Sequence, residues 1–204
     1  MKNMLKNLLI KNRSYRGFKK DTAISKDELF QIVDHVRYCP SSLNRQPFQY
    51  AILWKKDKVE GILKWTKWAG MLPKLELPYP DRKPPAIIII LQNLLIDENK
   101  TRYLRDAGIV AHTILLAATE RGFGGCMIGN FNVTKVKEEL MLPDYLVPVL
   151  VVALGKPYEK IELVNIKEGE DTAYYRDLKG VHYVPKRRLE DIIYIPDSAS
   201  NVRE

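Results

Sequence analysis

Apolar residues fall along the chain in two rhythms. Met4, Leu5, Leu8 and Leu9 share one face of a 3.6-residue period, which predicts a short helix over 2–11. Ser25 and Glu28 make a Ser-x-x-Glu capping box ahead of Leu29, Ile32, Val33 and Val36, so a second helix starts there and Pro40 stops it. "FQYAILW", from Phe48, is aromatic and aliphatic throughout and predicts a strand. A tryptophan-bearing helix is expected near 57–71. The proline-rich "LPKLELPYPDRKPP" after it reads either as a lid or as a surface connection. "AIIIIL", from Ala86, leaves no position for solvent and predicts a strand in a sheet covered on both faces.

The longest helical pattern runs from about Thr101 to Arg121, with Ala107, Val110, Ala111, Ile114, Leu115 and Ala118 at helical spacing. "GFGGCMIG" then predicts a short strand, a helix follows Thr134, and "VPVLVVALG" predicts another buried strand. The charged last forty or so residues contain one strand candidate, "RLEDIIYIP". These elements describe a single α+β domain over 1–204, helices packed on a hydrophobic sheet, with 158–204 as a C-terminal extension.

Composition narrows the function classes. With 46% hydrophobic and 28% charged residues, the 204-residue chain is an ordinary globular protein rather than a disordered one. The net charge of +8 reads first as a lysine-rich solvated surface. "KWTKWAG" interleaves tryptophans with lysines, but no nucleic-acid module accompanies it, so no nucleic-acid partner is expected. Cys39 and Cys126 are the only cysteines and lie far apart, which points to a reducing, cytoplasmic setting. "MKNMLKNLLIKN" is interrupted by Lys6 and too short for a signal sequence, and "AIIIILQNLLI" falls short of a membrane span. A soluble protein without a membrane partner is expected. His35, His112 and His182 share no metal-ligand spacing with the cysteines, so no metal site is expected either. "RGFGGCMIG" fails the G-x-G-x-x-G pattern and follows a helix rather than a strand. Its glycines read as a helix cap plus close packing.

Two stretches carry candidate chemistry. "RSYRGF", Arg13 to Phe18, sets two permanent cations and a hydroxyl within six residues, a pattern suited to an anion. "CPSSLNRQPF", residues 39–48, offers small polar side chains and backbone N–H groups between a helix and a strand; by itself it is equally a Ser- or Asx-type turn. In this order, followed by "RDAGIVAHTILLAATERGFGGCMIG", "VPVLVVALGKP" and "PKRRLEDII", they resemble the FMN-dependent nitroreductase family over nearly the whole chain.

The resemblance implies a central mixed β-sheet flanked by helices, in an intertwined homodimer with exchanged C-terminal segments and FMN at the subunit interface. It places Arg13, Ser14, Lys186 and Arg188 on the FMN phosphate and Arg16 near flavin N1 and O2. Pro40, Ser41, Ser42, Asn44 and Gln46 would contact the ribityl chain and pyrimidine edge. The backbone of Cys126, Met127, Ile128 and Gly129 would approach N5 and the dimethylbenzene side, with glycines where a side chain would obstruct and Cys126 as a packing residue. No catalytic acid, base or nucleophile is required, because the flavin carries the hydride chemistry. Residues 57–85 form a possible substrate lid, with Trp65, Trp68, Tyr79 and Lys83 at its mouth; the tryptophans are equally core anchors. The implied activity is reduction of nitroaromatics, quinones or related electron-poor acceptors by NAD(P)H, in a ping-pong cycle. Alternatives are a non-catalytic flavin-binding protein and a dehalogenase-like member using Glu76, Tyr79 and Lys83, whose spacing matches poorly.

Overall fold

The computed structural model describes residues 3–72 and 75–196. Lys2 of the expected first helix, residues 73–74 of the proline-rich stretch and 197–204 of the extension lie outside them. The chain divides into two compact units, Met1–Tyr158 and Glu159–Glu204.

In the first unit, α1 spans Met4–Lys11, α2 Lys26–Asp34, β1 Phe48–Leu53, α3 Lys56–Leu63, β2 Ala86–Asn93, α4 Leu104–Glu120, β3 Gly124–Ile128, α5 Val133–Glu139 and β4 Leu146–Gly155. The capping box at Ser25 is formed: its hydroxyl accepts from the Glu28 amide while the Glu28 carboxylate accepts from the Ser25 amide. α2 continues as a 3₁₀ turn, His35–Tyr38, up to Pro40. α4 ends in a Schellman arrangement, with Gly122 N donating to Thr119 O and Phe123 N to Ala118 O; Gly122 takes the left-handed conformation such a cap requires.

The four strands pair in the order β1-β2-β4-β3, every neighbour antiparallel. This corrects the expected central mixed sheet. A strand buried on both faces has no polar side to record, so its all-apolar run predicts burial but not pairing direction. β2 is buried at every position. Its alternate side chains feed two cores: Ile88 and Ile90 join Leu29 and Ile32 of α2 and Ile114 and Ala118 of α4, whereas Ile87 and Ile89 join Val59 and Ile62 of α3 and Val136 of α5. Each buried isoleucine stabilises by roughly 1.5–3 kcal/mol. The β2/β4 register shifts between Ile90 and Leu91, opposite the stretch holding Pro148, which has no N–H to give a regular ladder.

The second unit holds β5 (Ile161–Ile166), β6 (Tyr175–Arg176) and β7 (His182–Arg187) in the order β5-β7-β6, with β5 and β7 parallel and β6 and β7 antiparallel. Its interior contains an Arg176–Glu159 ion pair and His182 tilted against Tyr174. Two expectations are corrected. α3 stops at Leu63 rather than near 71, because Trp65–Lys67 leaves the helix to pair with Asn130–Asn132 through a Thr66–Phe131 bridge. "RLEDIIYIP" forms turns, not a strand, with Arg188 paired to Asp191 at 3.1 Å; the strand is β7, just before it. Among the described residues no helix is long and apolar enough to cross a membrane.

Candidate functional site

The arginine segment begins where α1 ends. Arg13 Nη2 donates to the Leu9 carbonyl and the Tyr15 hydroxyl to the Lys11 carbonyl (3.0 Å), which caps the last turn with side chains. Ser14 then forms a parallel bridge with Gly125, and Tyr15 N donates to Gly125 O at 2.9 Å. The chain goes on past the ends of β4 and β2: Phe18, fully buried, donates its amide to Arg82 O, and Lys19 donates to Lys156 O. "RSYRGF" therefore lies against the outer edge of β3, beside "GGCMIG". Arg16 Nη1 donates to Ser14 O at 3.2 Å.

Arg13 is half-buried, and its Nε is shut away from solvent with no hydrogen-bond partner. No carboxylate pairs with it among the described residues. Burial lowers its pKa from the ordinary arginine value, opposed by the nearby Tyr15 hydroxyl, although the group stays cationic at any physiological pH. A partly desolvated cation without an anion is a costly arrangement that a bound anion would relieve.

β3 turns alternate side chains inward. Cys126 and Ile128 are buried in the core shared with α3 and α5, which fits the packing role expected of Cys126. Its glycines have reasons within the chain itself. A Cβ at Gly124 would come within 2.6 Å of the Tyr15 ring, and one at Gly125 would overlap the Ala153 carbonyl oxygen. Obstruction of a ligand is thus not needed to explain these two. Gly129, at the strand's end, is exposed with nothing within 4 Å of an added Cβ.

The bridge between Thr66 and Phe131 brings the candidate substrate tryptophans to this end of β3. Trp65 and Trp68 are half-buried and pack against the second core. Trp68 Nε1 donates to Thr66 Oγ1 (2.8 Å), and Lys135 stands 5.8 Å from the Trp65 ring centroid. Tyr79 is half-buried in the loop that follows. Lys83 is paired with Glu60 at 3.3 Å.

The Pro40–Gln46 loop is fastened to the first turn of α4. Asp106, 3% exposed, accepts from Ser41 Oγ at 3.0 Å, Ser42 N at 2.6 Å and Ser42 Oγ at 2.8 Å. Ser41 Oγ accepts in turn from Gln46 N, while Asn44 N and Arg45 N donate to Ser41 O and Ser42 O. Leu43, Asn44 and Gln46 all hold positive φ, between 50° and 54°. The expected supply of backbone N–H groups at Ser42, Asn44, Arg45 and Gln46 is therefore engaged within the chain. A recess of about 180 Å³ opens beside Ser41, Gln46 and Asp106, walled by Val36, Cys39, Phe48 and Tyr50. Burial raises the Tyr50 phenol far above its ordinary range. Asp106, in the "RDAG" that opens α4, carries no role expected from the sequence. Its signal was a carboxylate on the apolar face that also carries Tyr103, Ala107 and Val110.

Lys186, exposed at the end of β7, and Arg188 belong to the second unit, where Arg188 is ion-paired with Glu190 and Asp191. A larger cleft of about 610 Å³ lies between residues 19–23, Trp54–Glu60 and 80–85; of the predicted site residues Lys83 lines it, whereas Trp65, Trp68 and Tyr79 do not.

The family model of the Nitroreductase family matches residues 9–75 and 82–156, taking in the arginine segment, the serine loop and β3. The chain belongs to the nitroreductase family. YdgI of Bacillus subtilis, provisionally named an NAD(P)H nitroreductase, is 24% identical over 175 residues, covering 71% of this chain and 84% of its own. An FMN-dependent nitroreductase of Clostridium difficile R20291 superposes with a TM-score of 0.65 at 22% identity, over 94% of this chain and 98% of its own. A provisionally named nitroreductase of Exiguobacterium sibiricum 255-15, crystallised in complex with FMN, superposes at 0.63 with 19% identity, over 76% and 88%. Nitroreductase-family membership and the α+β fold with an antiparallel sheet thus stand together.

Proposed function

We propose that this chain is an FMN-dependent oxidoreductase that uses NAD(P)H to reduce nitroaromatics, quinones or related electron-poor acceptors by a ping-pong cycle. The observation that carries the reading is Arg13: a partly buried cation with an unpartnered Nε, held at the edge of β3 by the Ser14–Gly125 bridge. A phosphate dianion fits it, since charge-assisted bonds from the guanidinium would replace the lost solvent. The FMN of the Exiguobacterium relative and the name of the Clostridium relative support the same cofactor here. When bound, FMN supplies hydride and electron transfer.

The chain's own residues bind and orient. Arg13 and Ser14 would take the phosphate, joined by Lys186 and Arg188. Arg16 would set a positive charge near N1 and O2, and the Pro40–Gln46 loop would meet the ribityl chain and pyrimidine edge. The β3 backbone from Cys126 to Gly129 would border the ring. Trp65, Trp68 and Tyr79 would line the acceptor's entrance, with 57–85 as its cover. The working form is a homodimer with exchanged C-terminal segments. It is supported by the placement of the two halves of the site: the serine loop is tied to the first turn of α4, whereas Gly125 packs on Leu115, about 13 Å further along the helix axis.

The test is reconstitution with FMN and anaerobic titration with NADH and NADPH. The expected result is a yellow protein, its chromophore released by heat as FMN, that is bleached by a nicotinamide and restored by a quinone or nitroaromatic. A yellow protein that neither nicotinamide bleaches would reduce the reading to flavin binding, and a colourless one would end it.

A further inference from the structure

A hydroxyl has one proton and two lone pairs, and an ionised carboxylate only accepts. At the serine loop this counting fixes a polarity. Asp106 receives the Ser41 proton on Oδ2 and the Ser42 proton on Oδ1, together with the Ser42 amide. Neither hydroxyl keeps a proton for a ligand. Ser41 Oγ also accepts from Gln46 N, which leaves it one lone pair, while Ser42 Oγ keeps both. The side-chain donors not engaged within the loop belong to Asn44, whose Oδ1 already accepts from Gln46 Nε2, and to the exposed guanidinium of Arg45. The same bonds hold three non-glycine residues in the left-handed region, a conformation that costs free energy and persists only where surroundings enforce it.

We infer that Asp106 is a positioning residue that sets the polarity of the ligand loop: it turns Ser41 and Ser42 into acceptors for a ligand N–H or O–H and leaves ligand carbonyls to Asn44 and Arg45. The inference rests on the flavin reading for the identity of the ligand, whose imide N–H and ribityl hydroxyls are donors of this class. It goes beyond that reading by naming a residue that does not touch the ligand and the direction of the bonds it imposes. Asp106 is the right chemistry for the task. An asparagine of nearly the same shape presents an NH₂ in place of one oxygen, donates to one serine and frees that serine's proton to point outward.

The experiment is a double-mutant cycle read by FMN fluorescence quenching, with thermal unfolding alongside. Asp106→Asn is expected to raise the FMN Kd about tenfold while the variant remains folded at the assay temperature. Ser41→Ala with Ser42→Ala is expected to raise it comparably, because the acceptors are gone. In that background Asp106→Asn is expected to add less than about twofold, since no hydroxyl remains to be turned. A purely structural role would lower stability in both backgrounds and leave the Kd of folded protein unchanged in each. A wild-type Kd in Asp106→Asn overturns the inference, as does a tenfold loss that persists without the serines. A second arm uses the ligand-free protein: amide exchange at Ser42 and Gln46 is expected to accelerate at least about tenfold in Asp106→Ala, with β2 amides unaffected. Unchanged exchange there also overturns it. A wild type that binds no FMN after reconstitution sinks the flavin reading, and the exchange arm then decides Asp106's hold on the loop by itself.

Discussion

Arg13 and Arg16 stand three residues apart and are given different work by their surroundings. Arg13 is held by Leu9 and by burial; Arg16 reaches back to the Ser14 carbonyl. If Arg13 holds the phosphate, Arg13→Ala should weaken FMN binding by about 1.5–3 kcal/mol, the range for bonds to a charged group, and leave the reduction potential nearly unmoved, since the phosphate is remote from the ring. If Arg16 lies beside the pyrimidine edge, Arg16→Ala should make the potential more negative, by roughly 30 mV for each ~1.4 kcal/mol of differential stabilisation lost. Spectroelectrochemistry with flavin-release measurements on both variants checks the pair, and a potential shifted by Arg13→Ala alone would reverse the assignment. Asp106 adds a pH signature. Burial would raise its pKa, but the Ser42 amide and hydroxyl and the Ser41 hydroxyl outweigh that and hold it below the usual carboxylate value. A depressed native pKa contributes stability that is complete above the unfolded value, about 3.9, and is lost as pH falls through the native one. Melting curves between pH 6 and pH 3 should therefore show a steeper acid loss in the wild type than in Asp106→Asn, whose remaining loss comes from carboxylates such as Asp97 and Glu28 that are also held low. Equal slopes would contradict it.

At the level of elements, the glycines around β3 give the sharpest contrast. A methyl group at Gly125 meets the Ala153 carbonyl of β4, with the Leu115 and Leu154 side chains close behind, so Gly125→Ala must displace backbone and should cost about 1–3 kcal/mol in denaturant unfolding. Gly129→Ala meets nothing within 4 Å and should be nearly neutral in stability. If the β3 end borders the flavin ring, Gly129→Ala should nevertheless change FMN affinity or the bound-flavin spectrum. What could be read of these elements from sequence follows from which forces leave a local trace. The Ser25–Glu28 box, the 3.6-residue stripe of α4 and the unbroken isoleucines of β2 are local, and each element formed where expected. The end of α3 depended on Thr66 finding Phe131, some sixty-five residues away, and nothing near Trp65 announces that partner. The β5–β7 pairing is equally non-local, and Pro185 inside β7 argues against a strand by local rules. At the site, the two arginines and two serines stood out as residue types, but only the fold could reveal that the serine protons are committed to Asp106.

On the scale of the whole molecule, each unit leaves a group of large apolar side chains exposed. α1 has no buried residue, and Met4, Leu5 and Ile10 are 66%, 62% and 48% exposed. In the second unit Leu189, Ile192, Ile193 and Tyr194 follow one another at 54% exposure or more. Surfaces of this kind suit contacts with a partner, and in the homodimer proposed above that partner is a second copy of the chain. The apolar run after β7 is a natural arm for that contact, because it lies beyond the last named strand; its turn is closed by the Arg188 pairs with Glu190 and Asp191, by Arg187 on the Asp191 carbonyl and by the Asp191 and Ile192 amides on Arg188 O and Leu189 O. Ending the chain after Arg188 removes the arm and leaves every named strand and helix in place. If two chains complete the site as proposed, the truncated protein should keep most of its far-ultraviolet circular dichroism, shift from dimer to monomer in sedimentation, and lose FMN. Arg13→Ala in the full-length protein should lose FMN affinity without losing the dimer, so the two variants separate assembly from cofactor binding. A truncated chain that sediments as a monomer and still holds a full equivalent of FMN would show that one chain completes the site alone.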